Sequence, residues 1–133
     1  MLKACAIRNV KYSDLWETPD TLWNSVLPTI WTKPINIWEP FVGVTNRSTK
    51  IFKELGHDVI ETTDDFFTLT WPETADVLIS NPPFSRKFEV LENLKQLQES
   101  KTHPFMILLP SWVFASATVR TMVKKNKIEL LKA

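Results

Sequence analysis

Glycine is almost missing from this chain: Gly43 and Gly56 are the only two among 133 residues, against nine prolines and six tryptophans. Each is expected to hold a backbone position that a side chain would strain. Cysteine is scarcer still. The single Cys5 excludes an intramolecular disulfide and a cysteine-built metal cluster, which suits a reducing intracellular compartment; a small buried apolar residue is its expected role. The two histidines, His57 and His103, lie beside strand starts without companions at metal-ligand spacing, so both read as structural and no metal site is expected. No apolar run approaches the ~20 residues of a membrane span, and the opening residues are too short for the apolar region of a signal peptide. A soluble, intracellular protein is expected. Charge of one sign is also lacking: the formal net charge is +1, so any nucleic-acid contact must be local. The length fits a single domain over residues 1–133 with one core, and residues 1–15 carry no recognisable element. No repeat or low-complexity segment is present.

What is there gathers around Asp76-Val77-Leu78-Ile79-Ser80-Asn81-Pro82-Pro83-Phe84. A short apolar run stopped by Asn and two prolines reads as a buried strand that delivers a loop at its carboxyl end. Two consecutive prolines remove two N–H donors and fix two φ angles, so the loop is rigid. Asn81 and the carbonyl beside it then stand as fixed acceptors, with Phe84 close by. The plainer alternative is a strand ending in a proline turn.

Upstream, residues 34–43 read as a strand running into a turn and residues 46–55 as a helix, with Ile51, Phe52 and Leu55 on its apolar face and Gly56 as its stop. Strand, glycine turn and helix form the nucleotide-binding arrangement of open α/β sheets, whose ligand sits at the carboxyl edge. A second strand is expected over residues 57–61, followed by the acids Asp64 and Asp65, for which a solvated turn is the plainer reading. Between Glu61 and Asp76 there is too little chain for the extra helix and strand of a full doubly wound sheet, since one crossover alone takes a dozen or more residues, which implies a reduced sheet. An earlier helix opens at Thr18-Pro19-Asp20, with Thr18 as cap and Pro19 in the first helical position, and buries Leu22, Trp23, Val26 and Leu27; Pro28 should end or kink it. Ser85 should cap a helix reaching about Ser100, with Phe88, Leu91, Leu94 and Leu97 facing the core. Residues 104–110 form a continuous apolar strand beside the first. Ser111 should start a helix carrying Val113, Phe114, Val119 and Met122, and Ile128 to Leu131 a final strand. The basic residues Arg120, Lys124, Lys125, Lys127 and Lys132 read as a solvated helix end or a phosphate-facing patch.

Asn81-Pro82-Pro83-Phe84 resembles the catalytic loop of S-adenosylmethionine-dependent amino-methyltransferases, above all the DNA adenine-N6 methyltransferases. The resemblance implies a reduced Rossmann-like methyltransferase fold, an α/β domain with a mostly parallel sheet and flanking helices. It also implies that Asn81 Oδ1 and the Pro82 carbonyl accept the two N–H groups of the target amine, that Pro83 stiffens the loop, and that Phe84 stacks on a base flipped out of the duplex. Thr18-Pro19 looks like the element that contacts the carboxylate end of the cofactor. Glu39-Pro40-Phe41-Val42-Gly43 is similar to the cofactor loop, in which the acid orients the amino group of the methionine moiety and Gly43 lets the backbone approach; Thr45 stands where the family has a second glycine. Glu61 or Asp64 would serve the ribose, and Asp65 with Phe66 the adenine. These pieces follow one another in the family's order over roughly residues 16–115. They also resemble compact methyltransferase-like proteins of phages and large algal viruses, which implies a viral source. The implied partner is nucleic acid, DNA ahead of RNA, and not a membrane; a glutamine side-chain amide is a further acceptor of the same chemical kind. Thr45, the absence of room for a closing antiparallel hairpin and the low net charge point to the alternative, a non-catalytic methyltransferase-like subunit. In either case an open sheet edge beside residues 105–109 calls for a second copy or a partner chain.

Overall fold

The computed structural model describes residues 2–7, 19–42, 46–97, 103–110, 115–125 and 128–132. Their elements follow in the order β1 (Leu2–Ile7), α1 (Asp20–Ile30), β2 (Asn36–Glu39), α2 (Arg47–Glu54), β3 (Asp58–Glu61), β4 (Val77–Ser80), α3 (Lys87–Leu97), β5 (Phe105–Pro110), α4 (Ala117–Lys125) and β6 (Ile128–Lys132). The strands form one sheet in the order β3-β2-β4-β5-β1-β6, and every pairing in it is parallel. Parallel strands with both faces covered read as unbroken apolar runs, which is why residues 77–80 and 105–109 show no alternation in sequence.

Alternation reappears in the packing. Ile37, Val77, Ile79, Met106 and Leu108 face one side of the sheet, where Trp23 and Leu27 of α1 and Ile51 and Phe52 of α2 cover them. Trp38, Leu78, Phe105, Ile107 and Leu109 face the other side, against Val90, Leu91 and Leu94 of α3, Val119 of α4 and Phe66. Successive residues of one strand thus enter opposite cores. Trp38 is fully buried, its ring packs on Phe66 and Trp71, and its Nε1 donates to Thr62 Oγ1 at 3.0 Å. Trp38→Ala is expected to lower the unfolding free energy by about 3–5 kcal/mol in a urea titration; an unchanged midpoint would contradict this packing.

Several local expectations are corrected. The segment 1–15 contributes an interior strand, β1, which pairs with both β5 and β6. A strand with neighbours on both sides lacks the half-buried period, so its pattern carried no signal. The edge of β5 is therefore paired within the chain, and the outer strands among those described are β3 and β6. The cap of α1 is Pro19, not Thr18, which lies outside the described residues. Pro28 neither ends nor breaks that helix: it lies exposed in the last turn, where the Trp31 N–H still donates to the Leu27 carbonyl. Phe84–Arg86 form a 3-10 turn before α3, so that helix starts at Lys87 and not at Ser85. Its buried stripe is Val90, Leu91 and Leu94, while Phe88 is 43% exposed under the Lys87 ammonium. The expected extension to Ser100 falls outside the described residues, as do Ser111, Val113 and Phe114; α4 begins at Ala117. Gly56 holds φ +93° as the stop after α2, and Gly43 lies outside the described residues. No helix among the described residues is long and apolar enough to cross a membrane.

Candidate functional site

Strand order fixes where a ligand could sit. From β2 the chain passes through α2 to β3 on one side, while β4, on the other side of β2, leads through α3 to β5. The two helices lie on opposite faces of the sheet, and the crevice where they diverge opens outside the carboxyl ends of β2 and β4. Glu39 is the last residue of β2, Glu61 the last of β3 and Ser80 the last of β4, with Asn81 next in the chain. The turn that begins at Pro40 and the Asn-Pro-Pro-Phe loop therefore leave adjacent strands at one edge.

Glu39 is the centre of this edge. Its carboxylate is fully buried, and three donors reach it: the Phe41 N–H to Oε1 at 2.9 Å, the Ser48 hydroxyl to Oε2 at 2.9 Å, and the Ser80 hydroxyl to Oε1. These come from the turn after β2, the first turn of α2 and the end of β4. Burial pushes its pKa from 4.5 up to about 8; the three hydrogen bonds pull the other way, and Glu61, directly opposite in the β2–β3 register, adds a like charge. Among the described residues the one charge acting on Glu39 is thus of its own sign. A buried carboxylate without an opposite charge beside it carries a desolvation cost that hydrogen bonds offset only in part.

The remaining expected residues divide between this edge and the core. Pro40 is buried and Phe41 half-buried, with its ring 4.9 Å from that of Phe66. Glu61 and Asp64 are exposed. Asp65 caps a 3-10 turn at Phe66–Thr68, its Oδ1 accepting from the Phe67 N–H at 3.1 Å, and remains exposed. Phe66 is only 3% exposed and belongs to the aromatic core with Trp38, so it supports the Asp65 turn and offers no open face to a ligand. Phe67 instead lies outward under the Arg86 guanidinium, 4.1 Å from its ring centre, which brings the Asp65 turn against the 3-10 turn that follows Pro83. Pro82 is buried, and Asn81 and Pro83 are half-buried; the Oδ1 of Asn81 is shielded from solvent. The side chain of Phe84 is outside the described atoms, as are Thr18 and the turn 43–45. Pro19 stands at the start of α1, where Asp20 pairs with Arg47 at 2.8 Å and so brings that start beside the start of α2.

Two residues of this edge were missed in the sequence, Ser48 and Ser80. Ser80 carried a signal: a polar residue closing an otherwise apolar buried strand needs a partner. Ser48, in the first turn of a helix, looks like any helix-start serine. His57 fits its expected structural role, with Nδ1 accepting the Ile35 N–H at 3.2 Å and burial holding its imidazole below the ordinary pKa. His103 stacks on Trp71 at 4.4 Å. No group of three or more His, Cys, Asp or Glu among the described residues could hold a metal ion. Comparisons of the chain with protein-family models, with curated proteins and with solved structures gave no match.

Proposed function

We propose that this chain is an S-adenosylmethionine-dependent methyltransferase acting on an exocyclic amine, with adenine N6 in DNA as the acceptor. One observation carries the reading: Glu39 and Asn81 leave neighbouring parallel strands at the point where the strand order reverses. That is where open α/β sheets bind nucleotides. The donor set also suits the cofactor. Glu39 would hold the ammonium of its amino-acid portion, whose charge would offset the burial that raises its pKa. Asp65, capping an exposed turn, would take the adenine amine through its outer oxygen, and Glu61 at the end of β3 would take the ribose hydroxyls.

Held through Glu39, Glu61 and Asp65, S-adenosylmethionine would supply an electrophilic methyl on its sulfonium, the C–S electron pair staying with sulfur and the acceptor nitrogen giving up one proton to solvent. The chain's own part is placement. An aromatic amine is a weak nucleophile because its lone pair is delocalised into the ring. Asn81 Oδ1 and the Pro82 carbonyl would accept its two N–H groups, favour a more tetrahedral nitrogen and aim the lone pair. Prolines at 82 and 83 hold these acceptors without reorganisation. The loop selects an amine on a planar ring or amide; DNA as acceptor follows from the family resemblance.

A second reading, a non-catalytic methyltransferase-like component of a larger assembly, draws support from the closure of three donors over Glu39. Transfer of labelled methyl from S-adenosylmethionine to adenine-containing oligonucleotides separates the two. Label on adenine N6, lost in heat-treated protein, is expected; no transfer to DNA, RNA or a glutamine-containing peptide, in a protein that binds the cofactor, would favour the second.

A further inference from the structure

Glu39 and Asn81 belong to different halves of the edge, one expected to hold the cofactor and the other the acceptor amine. Ser80 is the one residue that belongs to both. Its backbone is the last of β4 and the direct neighbour of Asn81, it is fully buried, and its hydroxyl donates to Glu39 Oε1. The two other donors to Glu39 come from its own turn and from α2, so neither reaches the catalytic loop. We propose that Ser80 is a positioning residue that transmits the state of Glu39 to the Asn81 loop, so that a cation arriving at Glu39 sets the placement of the acceptor amide.

The physical basis is the two-way character of a hydroxyl. Against an ionised Glu39, Ser80 must donate; against the neutral acid it can accept. The switch moves a hydroxyl that has no solvent to relax into, one residue from Asn81. Groups facing Glu39 from the neighbouring elements are the Phe41 N–H, Ser48 of α2, Ser80 of β4 and the carboxylate of Glu61 on β3. Glu61 is the single titratable one among them. Replacing it by glutamine leaves Glu39 as the one acid of this cluster, so a transition that persists in Glu61→Gln reports Glu39.

The role rests on the methyltransferase reading, but its test does not. Carboxyl carbon resonances of Glu39 and side-chain amide resonances of Asn81 would be followed by NMR from pH 6 to about 10 in wild type, Ser80→Ala and Ser80→Thr, with Glu61→Gln to remove the other acid. In wild type the Asn81 amide is expected to shift with the midpoint of Glu39. In Ser80→Ala the Glu39 midpoint should rise, since a donor to the charged form is lost, and the Asn81 shift should shrink at least threefold. Ser80→Thr keeps the hydroxyl and should restore both. A purely structural serine would lower thermal stability and leave the Asn81 response intact. Asn81 resonances that ignore Glu39 in wild type, or that follow it equally in Ser80→Ala, would overturn the proposal. If Ser80→Ala does not fold, Ser80→Cys, a far weaker donor of similar size, takes its place with the same two criteria. The separate addition of S-adenosylhomocysteine distinguishes the failures: no binding by wild type defeats the cofactor reading and leaves the titration result standing.

Discussion

Glu39→Gln is expected to make the protein more stable at neutral pH and to remove its affinity for S-adenosylhomocysteine. The carboxyl titrates at 4.5 in the unfolded chain and at about 8 when buried. Between those values the folded protein holds a proton that the unfolded chain has released, so stability falls as pH rises through this window and levels off above it. At pH 7 the accumulated cost is on the order of 3 kcal/mol. Glutamine has nearly the same shape. Its carbonyl oxygen can accept from Phe41 and Ser80, and its amide can donate to the Ser48 hydroxyl, which carries lone pairs as well as a proton. The substitution therefore removes the pH-dependent cost and keeps the hydrogen bonds. An increase in melting temperature of about 10 °C at pH 7, shrinking toward zero near pH 4.5, is expected from thermal scans of both proteins. A lower melting temperature at pH 7 would show that the carboxylate serves the fold.

Asn81→Ala is expected to carry the largest functional effect, a loss of about 10²–10³ in the rate of methyl transfer. One of the two acceptors for the target amine would vanish while the Pro82 carbonyl remains, so activity should fall without disappearing. Affinity for S-adenosylhomocysteine should stay within about twofold of wild type, because the residues proposed to hold it lie at Pro19, on β2 and β3 and in the Asp65 turn, not in the Asn81 loop. Asn81→Asp keeps an acceptor oxygen and should lose less. An equal loss of cofactor affinity and rate would mean that the loop had been dislodged rather than disarmed, a distinction that comparing kcat with binding makes directly.

Much of this edge was legible in the chain. The run from Val77 to Ser80 is too apolar to be anything but a buried strand, and the prolines after Asn81 fix where it stops. Arg47–Glu54 and the stop at Gly56 followed from helical spacing and a positive-φ glycine. The 15 residues between β3 and β4 hold a 3-10 turn and no further strand, in keeping with their small number. The failures have physical reasons too. Leu2–Ile7 is an interior strand whose pairing with residues more than a hundred positions away leaves no local trace. Of the stripe expected on α3, Leu91 and Leu94 are buried and Leu97 packs against the same core, but Phe88 was misplaced: the 3-10 turn at Phe84–Arg86 precedes the helix, and Val90 takes the buried place. Phe66 has the sequence of a ligand-facing aromatic, but Trp38 and Phe41 enclose it. The burial of Glu39 depends on donors 9 and 41 positions away, contacts that only the folded sheet brings together.

The central claim is that the carboxyl edge of β2 and β4 holds S-adenosylmethionine. Calorimetric titration of the folded chain with S-adenosylhomocysteine at about pH 8.5, where Glu39 is largely ionised, tests it most directly. The account predicts saturable binding that Glu39→Gln and Asp65→Ala each abolish, with uptake of heat or its release varying with buffer at pH 7 as Glu39 gives up its proton. No binding at millimolar ligand, or binding that both substitutions leave intact, would contradict it.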